Sequence, residues 1–116
     1  MSSVNEPSGA ARVHEVFARV RNGDSGVADL YADDGVILVG GKRIDGREEI
    51  RAFYARTIAA RHPQPRVEVV LESEGSGFYA VVVEVPTDTG HLHALDLFTI
   101  GEHGIRQLEI FHREID

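Results

Sequence analysis

Asp96 is the residue whose type and position point most directly to chemistry. Alternate residues of a strand share one face, so Asp96 is expected among the apolar side chains of Leu92, Ala94 and Phe98. An ionised carboxyl in such surroundings is costly unless it is paired. Asp96 is therefore either a pocket acid with a raised pKa, able to donate a hydrogen bond or transfer a proton, or a structural carboxylate bonded to Tyr54 or to a buried backbone N–H.

Two further side chains are candidates for the same site. His112 follows Leu108 and Ile110 on one face of the last predicted strand, beside the strand of Asp96. A carboxylate that orients an imidazole forms a proton-transfer pair, whereas a histidine facing solvent near the C-terminus has no such role. Tyr54 lies on the apolar face of a predicted helix, where it is either a core residue or a hydrogen-bond donor to a pocket. The predicted catalytic residues are Asp96, His112 and Tyr54.

His91 and His93 form the one pattern that resembles a metal site. They lie two residues apart on one strand face, which suits a divalent metal ion. No third ligand is evident on that face, and their parity places them opposite Asp96. We therefore expect them to face solvent or a subunit interface, and we expect neither a metal nor a cofactor.

These side chains depend on a predicted set of helices and strands. Apolar residues at steps of three and four predict a helix from Ala10 to Arg21 and another from Arg47 to Ala60. Between them, Asp24 is a good N-cap for a short helix that carries Val27, Leu30 and Tyr31. A short apolar strand, Val36–Val39, and strands over residues 66–72, 78–85, 91–100 and 105–113 complete the set. In the first of these four, strict alternation places Val67, Val69 and Leu71 on one face.

This order of elements predicts an α+β domain. The expected shape is a cone in which three N-terminal helices pack on a curved antiparallel meander sheet and enclose a pocket. Residues 1–9 are predicted to be a disordered lead-in and residues 10–116 a single domain.

Composition excludes several classes of function. A formal net charge of −7 argues against a nucleic-acid partner, which would need a basic surface. The chain has no cysteine, so disulfides and thiolate metal sites are excluded and a reducing compartment is expected. No apolar run approaches the roughly 20 residues of a membrane span, and the first residues do not form a secretory signal. We therefore expect a cytoplasmic protein without a membrane partner.

Four short segments carry a resemblance to a known family. They are Phe17 followed by Asn22-Gly23-Asp24, then Leu30-Tyr31-Ala32-Asp33-Asp34, then residues 45–54 (DGREEIRAFY), and finally Leu95-Asp96-Leu97-Phe98. In order and spacing they cover about residues 10–113. The chain resembles the nuclear transport factor 2-like superfamily, and within it the ketosteroid isomerase and SnoaL-like polyketide cyclase group.

The resemblance implies roles for individual residues, and two of the roles are not filled. The family's general base corresponds to Val39 and its oxyanion tyrosine to Phe17, so classical ketosteroid isomerisation is not expected. The oxyanion aspartate corresponds to Asp96, and two supporting tyrosines correspond to Tyr31 and Tyr54. The expected pocket-lining residues are Phe17, Tyr31, Val39, Phe53, Phe98, Leu108 and Ile110.

Two functions remain open. The first is a cofactor-independent isomerase, cyclase, lyase or hydrolase acting on an apolar carbonyl- or epoxide-bearing compound; the alternative is a non-catalytic module for small-molecule binding or assembly. The strand over residues 78–85 is apolar on both faces, with Val81, Val83 and Val85 on one and Phe78, Ala80 and Val82 on the other. The helices cover only one face, so we predict a homodimer through the outer face of the sheet.

Overall fold

Two α-helices, one short 3₁₀ helix and six strands make up the fold. A computed structural model describes residues 9–73 and 75–115, with side chains described as far as Arg113. The predicted lead-in lies, except for Gly9, outside the described residues. The elements are α1 (Gly9–Arg21), a 3₁₀ helix (Ser25–Leu30), β1 (Tyr31–Val39), β2 (Lys42–Asp45), α2 (Arg47–Arg61), β3 (Arg66–Ser73), β4 (Phe78–Thr87), β5 (Gly90–Gly101) and β6 (Gly104–Ile115).

The strands form one curved sheet in the order β2-β1-β6-β5-β4-β3. Strands β3 to β6 pair antiparallel with their chain neighbours, because turns of two to four residues join them. Strand β1 pairs antiparallel with β2 but parallel with β6. The α+β class is confirmed, whereas the prediction of a wholly antiparallel sheet was wrong.

The helices pack their apolar stripes against one face of this sheet, here called the inner face. Helix α1 buries Val13, Val16 and Phe17, and α2 buries Ile50 and Tyr54. These five side chains belong to the same hydrophobic core as the inner-facing residues of the strands. The helices therefore leave the opposite, outer face of the sheet uncovered by any described residue.

The short helix is tighter than the sequence indicated. The Asp24 side chain accepts a hydrogen bond from the backbone N–H of Gly26 at 2.8 Å, as its predicted N-cap role requires. The helix is 3₁₀ and ends at Leu30, so Tyr31 begins strand β1 and pairs with Ile105 of β6. The placement of Tyr31 in a helix was wrong, because pairing with a distant strand determines its backbone conformation.

Strand β3 contains a β-bulge that strict alternation did not predict. Val67 pairs with Val83, but Val69 pairs with Val82, so one residue is inserted between them. Val67 and Val70 pack on the core, whereas Val69 is 44% exposed and lies on the outer face. The prediction that Val67 and Val69 share a face was therefore wrong.

The described residues also bear on the membrane question. None of their helices is both long enough and apolar enough to cross a bilayer.

Candidate active site in an apolar hollow

A hollow of about 280 Å³ separates α1 and α2 from the inner face of the sheet. Most of its wall is apolar and includes Pro63 and Pro65, which follow the C-terminus of α2. A depression of about 530 Å³ beside the β1–β2 turn has no buried polar side chain among its described residues. The smaller hollow is thus the candidate site. Its polar lining residues are Tyr54, Thr57, Arg61, Asp96 and His112.

Asp96 projects into this hollow from β5 and is only 6% exposed. Its neighbours across the sheet are Val81 of β4 and Ile110 of β6, neither of which offers a charge or a hydrogen bond. Its Oδ1 atom is buried and has no hydrogen-bond partner among the described residues. This burial raises the pKa of Asp96 to about 7. Asp96 thus lies in surroundings that raise its pKa, and among the described residues it makes no hydrogen bond to Tyr54, one of the two partners considered for a structural carboxylate.

Tyr54 bonds to another tyrosine instead. Its hydroxyl lies 2.6 Å from that of Tyr31, and either group can be the donor. Burial raises the pKa of both tyrosines, and the nearby Asp96 carboxylate contributes in the same direction. Both hydroxyls therefore stay protonated at neutral pH. Tyr31 is fully buried behind Tyr54, which alone of the two lines the hollow.

His112 lies at the rim of the hollow on β6. It pairs across the sheet with Ala94, whereas Asp96 pairs with Ile110, so His112 and Asp96 are diagonal neighbours on one face. Diagonal neighbours in an antiparallel pair are about 7–8 Å apart, so both side chains border the same part of the hollow. His112 is exposed and also borders two surface depressions outside the hollow. His112 thus lies between the lining of the hollow and the protein surface.

Five of the seven residues expected on the pocket wall lie there: Phe17, Val39, Phe53, Leu108 and Ile110. Tyr31 and Phe98 are fully buried and are not among the residues that line this hollow. Phe98 instead makes an edge-to-face contact with Phe17 at a centroid distance of 5.9 Å, which fills the space in front of it.

Sequence reasoning did not name Arg61 and Thr57 as site residues, but both line the hollow. Both lie on α2 in the helical register of Tyr54, and this spacing could have identified them. The Nε of Arg61 donates a hydrogen bond to Thr89 Oγ1 at 2.9 Å. The side chain of Arg61 thereby connects α2 to the β4–β5 turn and adds a positive charge beside the opening.

The chain has the nuclear transport factor 2-like fold, with helices packed on one face of a curved mixed sheet, as comparison with solved structures shows. No family model matches the sequence. No curated protein matches it either.

Several solved structures are similar to this one in fold. An NTF2-like protein of unknown function from Cytophaga hutchinsonii superimposes with a TM-score of 0.81 at 9% identity, over 96% of this chain and 95% of that one. The epoxide hydrolase/cyclase-like enzyme SalBIII, which has a role in pyran ring formation in salinomycin, superimposes with a TM-score of 0.80 at 19% identity over 90% of each chain. A steroid delta-isomerase from Pseudomonas aeruginosa superimposes with a TM-score of 0.74 at 17% identity, over 97% of this chain and 84% of that one. These similarities establish the fold and leave the reaction to be argued from the site.

Proposed function

We propose that this protein is a cofactor-independent enzyme that acts on a small apolar compound bearing a carbonyl or an epoxide. The observation that carries the proposal is the Asp96 carboxyl, buried in an apolar hollow with an unpartnered oxygen. A pKa of about 7 keeps both protonation states of Asp96 populated near neutrality, as a general acid or base requires. The likeness of fold to an epoxide hydrolase/cyclase-like enzyme and to an isomerase supports the substrate class.

In the proposed reaction, protonated Asp96 donates its proton to the substrate oxygen. With an epoxide, the C–O bond breaks as a water molecule or a hydroxyl of the substrate attacks the carbon. His112, at the rim, accepts the proton that this nucleophile loses and returns it to Asp96 through solvent. The Tyr54 hydroxyl donates a second hydrogen bond to the same substrate oxygen, because Tyr31 can donate to Tyr54 and leave the Tyr54 proton free.

The size of the hollow favours a compact substrate. Ligand pockets generally measure about 300–1,000 Å³, and this hollow lies just below that range at about 280 Å³. Val39 and Phe17 occupy the wall without offering a base or a donor, so Asp96 carries the proton transfer in this proposal.

The experiment begins with native mass spectrometry of the purified protein to identify a co-purified compound. The wild-type chain is then incubated with that compound and with a panel of small epoxides and enolisable ketones. We expect turnover that Asp96→Asn lowers at least about 100-fold, the usual scale of general acid catalysis. Asp34→Asn, which changes an exposed aspartate, is the matched control and keeps wild-type turnover. Undiminished turnover by Asp96→Asn would contradict the proposal.

One observation favours a second function, that of a non-catalytic binding module. The wall positions Val39 and Phe17 are both apolar, so the hollow suits binding by shape alone. In that case the co-purified compound stays bound and chemically unchanged in the wild type, and Asp96→Asn alters only its affinity.

We also propose that the protein is a homodimer through the outer face of the sheet. Five large apolar residues lie exposed on this face: Val69, Leu71, Phe78, Leu95 and Phe111. A second copy of the chain would cover them. Light scattering should give twice the 12.7 kDa chain mass, and Phe111→Glu should return a monomer. As a control, Ala59→Glu adds the same charge to the exposed side of α2 and should leave the dimer intact. A monomeric wild-type protein would refute the proposed homodimer.

A further inference from the structure

Ionisable side chains of β4 and β5 meet on the outer face of the sheet, at the end nearest the β4–β5 turn. Glu84 of β4 pairs directly with His93 of β5. Leu92 and Ala94 line the hollow, so alternation directs His91 and His93 to the outer face. These side chains are thus separated from the hollow by the thickness of the sheet.

The bulge in β3 adds a second carboxylate to this group. The extra residue between Val67 and Val69 is Glu68, and at a β-bulge two successive side chains lie on the same side of the strand. Glu68 consequently lies beside Val69 on the outer face, where its Oε1 is 3.8 Å from the Nε2 of His93. The bulge supplies the third ligand that the sequence pattern of His91 and His93 did not reveal.

The distances suit a shared ion. One ligand atom from each of Glu68, Glu84 and His93 lies within 4.8 Å of the other two. Ligands of a tetrahedral zinc ion, each about 2 Å from the metal, lie about 3.3 Å apart, so small side-chain rotations would bring the three together. The backbone need not move, because the paired strands already hold all three residues on the outer face of the sheet.

His91 lies beside this group of three side chains. Its Nε2 is buried and lies 2.7 Å from Glu84 Oε1, yet the contact lacks hydrogen-bond geometry. A buried imidazole nitrogen with no directed partner is left unsatisfied. A metal ion bound by both side chains, once they move slightly apart, would give this nitrogen a directed partner, since imidazole nitrogen and carboxylate oxygen are preferred zinc ligands.

Arg66 is the competitor for this site. Its guanidinium lies 2.8 Å from Glu84 Oε1. Arg66 is largely exposed and can turn into solvent, which leaves Glu84 free to coordinate.

We propose that Glu68, Glu84 and His93, with His91 as a fourth ligand, bind a divalent transition-metal ion of the zinc class on the outer face of the sheet. The donor set of two carboxylates and two imidazoles matches zinc rather than calcium or magnesium, which prefer oxygen ligands alone. The site lies outside the hollow and does not depend on the proposed function.

The full-length, tag-free chain is first treated with a chelator to remove bound metal. Calorimetric titration with Zn²⁺ then tests the proposal. We expect one saturable site per chain, with an affinity at least ten times lower in His93→Ala and in Glu68→Gln. His103→Ala, a change at an exposed histidine in the β5–β6 turn, is the matched control and retains wild-type affinity. A Zn²⁺-dependent rise in Tm should follow the same pattern across these variants.

Three outcomes would overturn the site. They are the absence of saturable Zn²⁺ binding in the wild type, equal affinity in His93→Ala and the wild type, and an equal loss in His103→Ala. Circular dichroism of each variant without metal identifies any loss of folding, and Glu68→Gln, at a largely exposed position, serves if His93→Ala does not fold.

Discussion

Strand β5 presents two different chemical environments on its two faces. Inward, Asp96 is buried among apolar side chains, and this burial raises its pKa to about 7. Outward, the carboxylate of Glu84 on the neighbouring strand is ionised, because Arg66 and His91 surround it. The same carboxyl chemistry is therefore biased toward the neutral form on one face and toward the ionised form on the other. The neighbouring side chains decide which form is favoured.

The difference in packing between the two faces gives the largest expected effect. Phe98 is fully buried on the inner face, whereas Phe111 on the outer face is 51% exposed. Phe98→Ala should lower the free energy of unfolding by about 3–5 kcal/mol, since it opens a cavity. Phe111→Ala should cost less than about 1 kcal/mol at dilutions where the chain is monomeric. Urea unfolding of both variants measures this, and equal losses would contradict the assignment of the two faces.

The buried charge should produce an effect that depends on pH. Asp96 has a higher pKa in the folded than in the unfolded chain, so wild-type stability falls as pH rises from about 4 to 7 and is then constant. Asp96→Asn removes this loss and should raise the free energy of unfolding at pH 8 by on the order of 2–4 kcal/mol, with little change at pH 4.

Urea unfolding of Asp96→Asn across this pH range, with Asp34→Asn as the exposed control, tests the prediction. A destabilised Asp96→Asn at pH 8 would indicate a structural carboxylate with an essential partner.

The tyrosine pair should respond unequally to loss of either hydroxyl. Tyr54→Phe leaves the fully buried hydroxyl of Tyr31 without its partner and should cost about 1–3 kcal/mol. Tyr31→Phe leaves the Tyr54 hydroxyl beside the hollow, where water can reach it, and should cost less than about 1 kcal/mol. Thermal unfolding of the two variants gives the order, and the reverse order would show that Tyr31 faces the substrate.

The sequence predicted the elements whose form depends on local pattern. Periodicity located α1 and α2, and strand parity placed Asp96 inward and His93 outward, as the register requires. The resemblance in fold was confirmed by solved structures. These features follow from residue spacing, which a sequence displays directly.

Non-local pairing determines what the sequence did not reveal. The parallel partnership of β1 with β6 extends β1 back to Tyr31, a residue that helical spacing had assigned to the short helix. The bulge at Glu68 leaves the apolar alternation of β3 intact in the sequence while it moves Val69 to the other face. Phe98 packs against Phe17 and therefore does not line the hollow, and this contact between distant residues cannot be seen in the sequence.

The titration of the Asp96 carboxyl tests the account most directly. Carbon-detected NMR of ¹³C-labelled protein, with Asp96→Asn to assign the signal, reports its protonation from pH 3 to 9. We predict a midpoint near 7 for Asp96. A midpoint at or below the ordinary value of about 4 would mean that the carboxyl is solvated or paired, and it would contradict a proton-transfer site in the hollow.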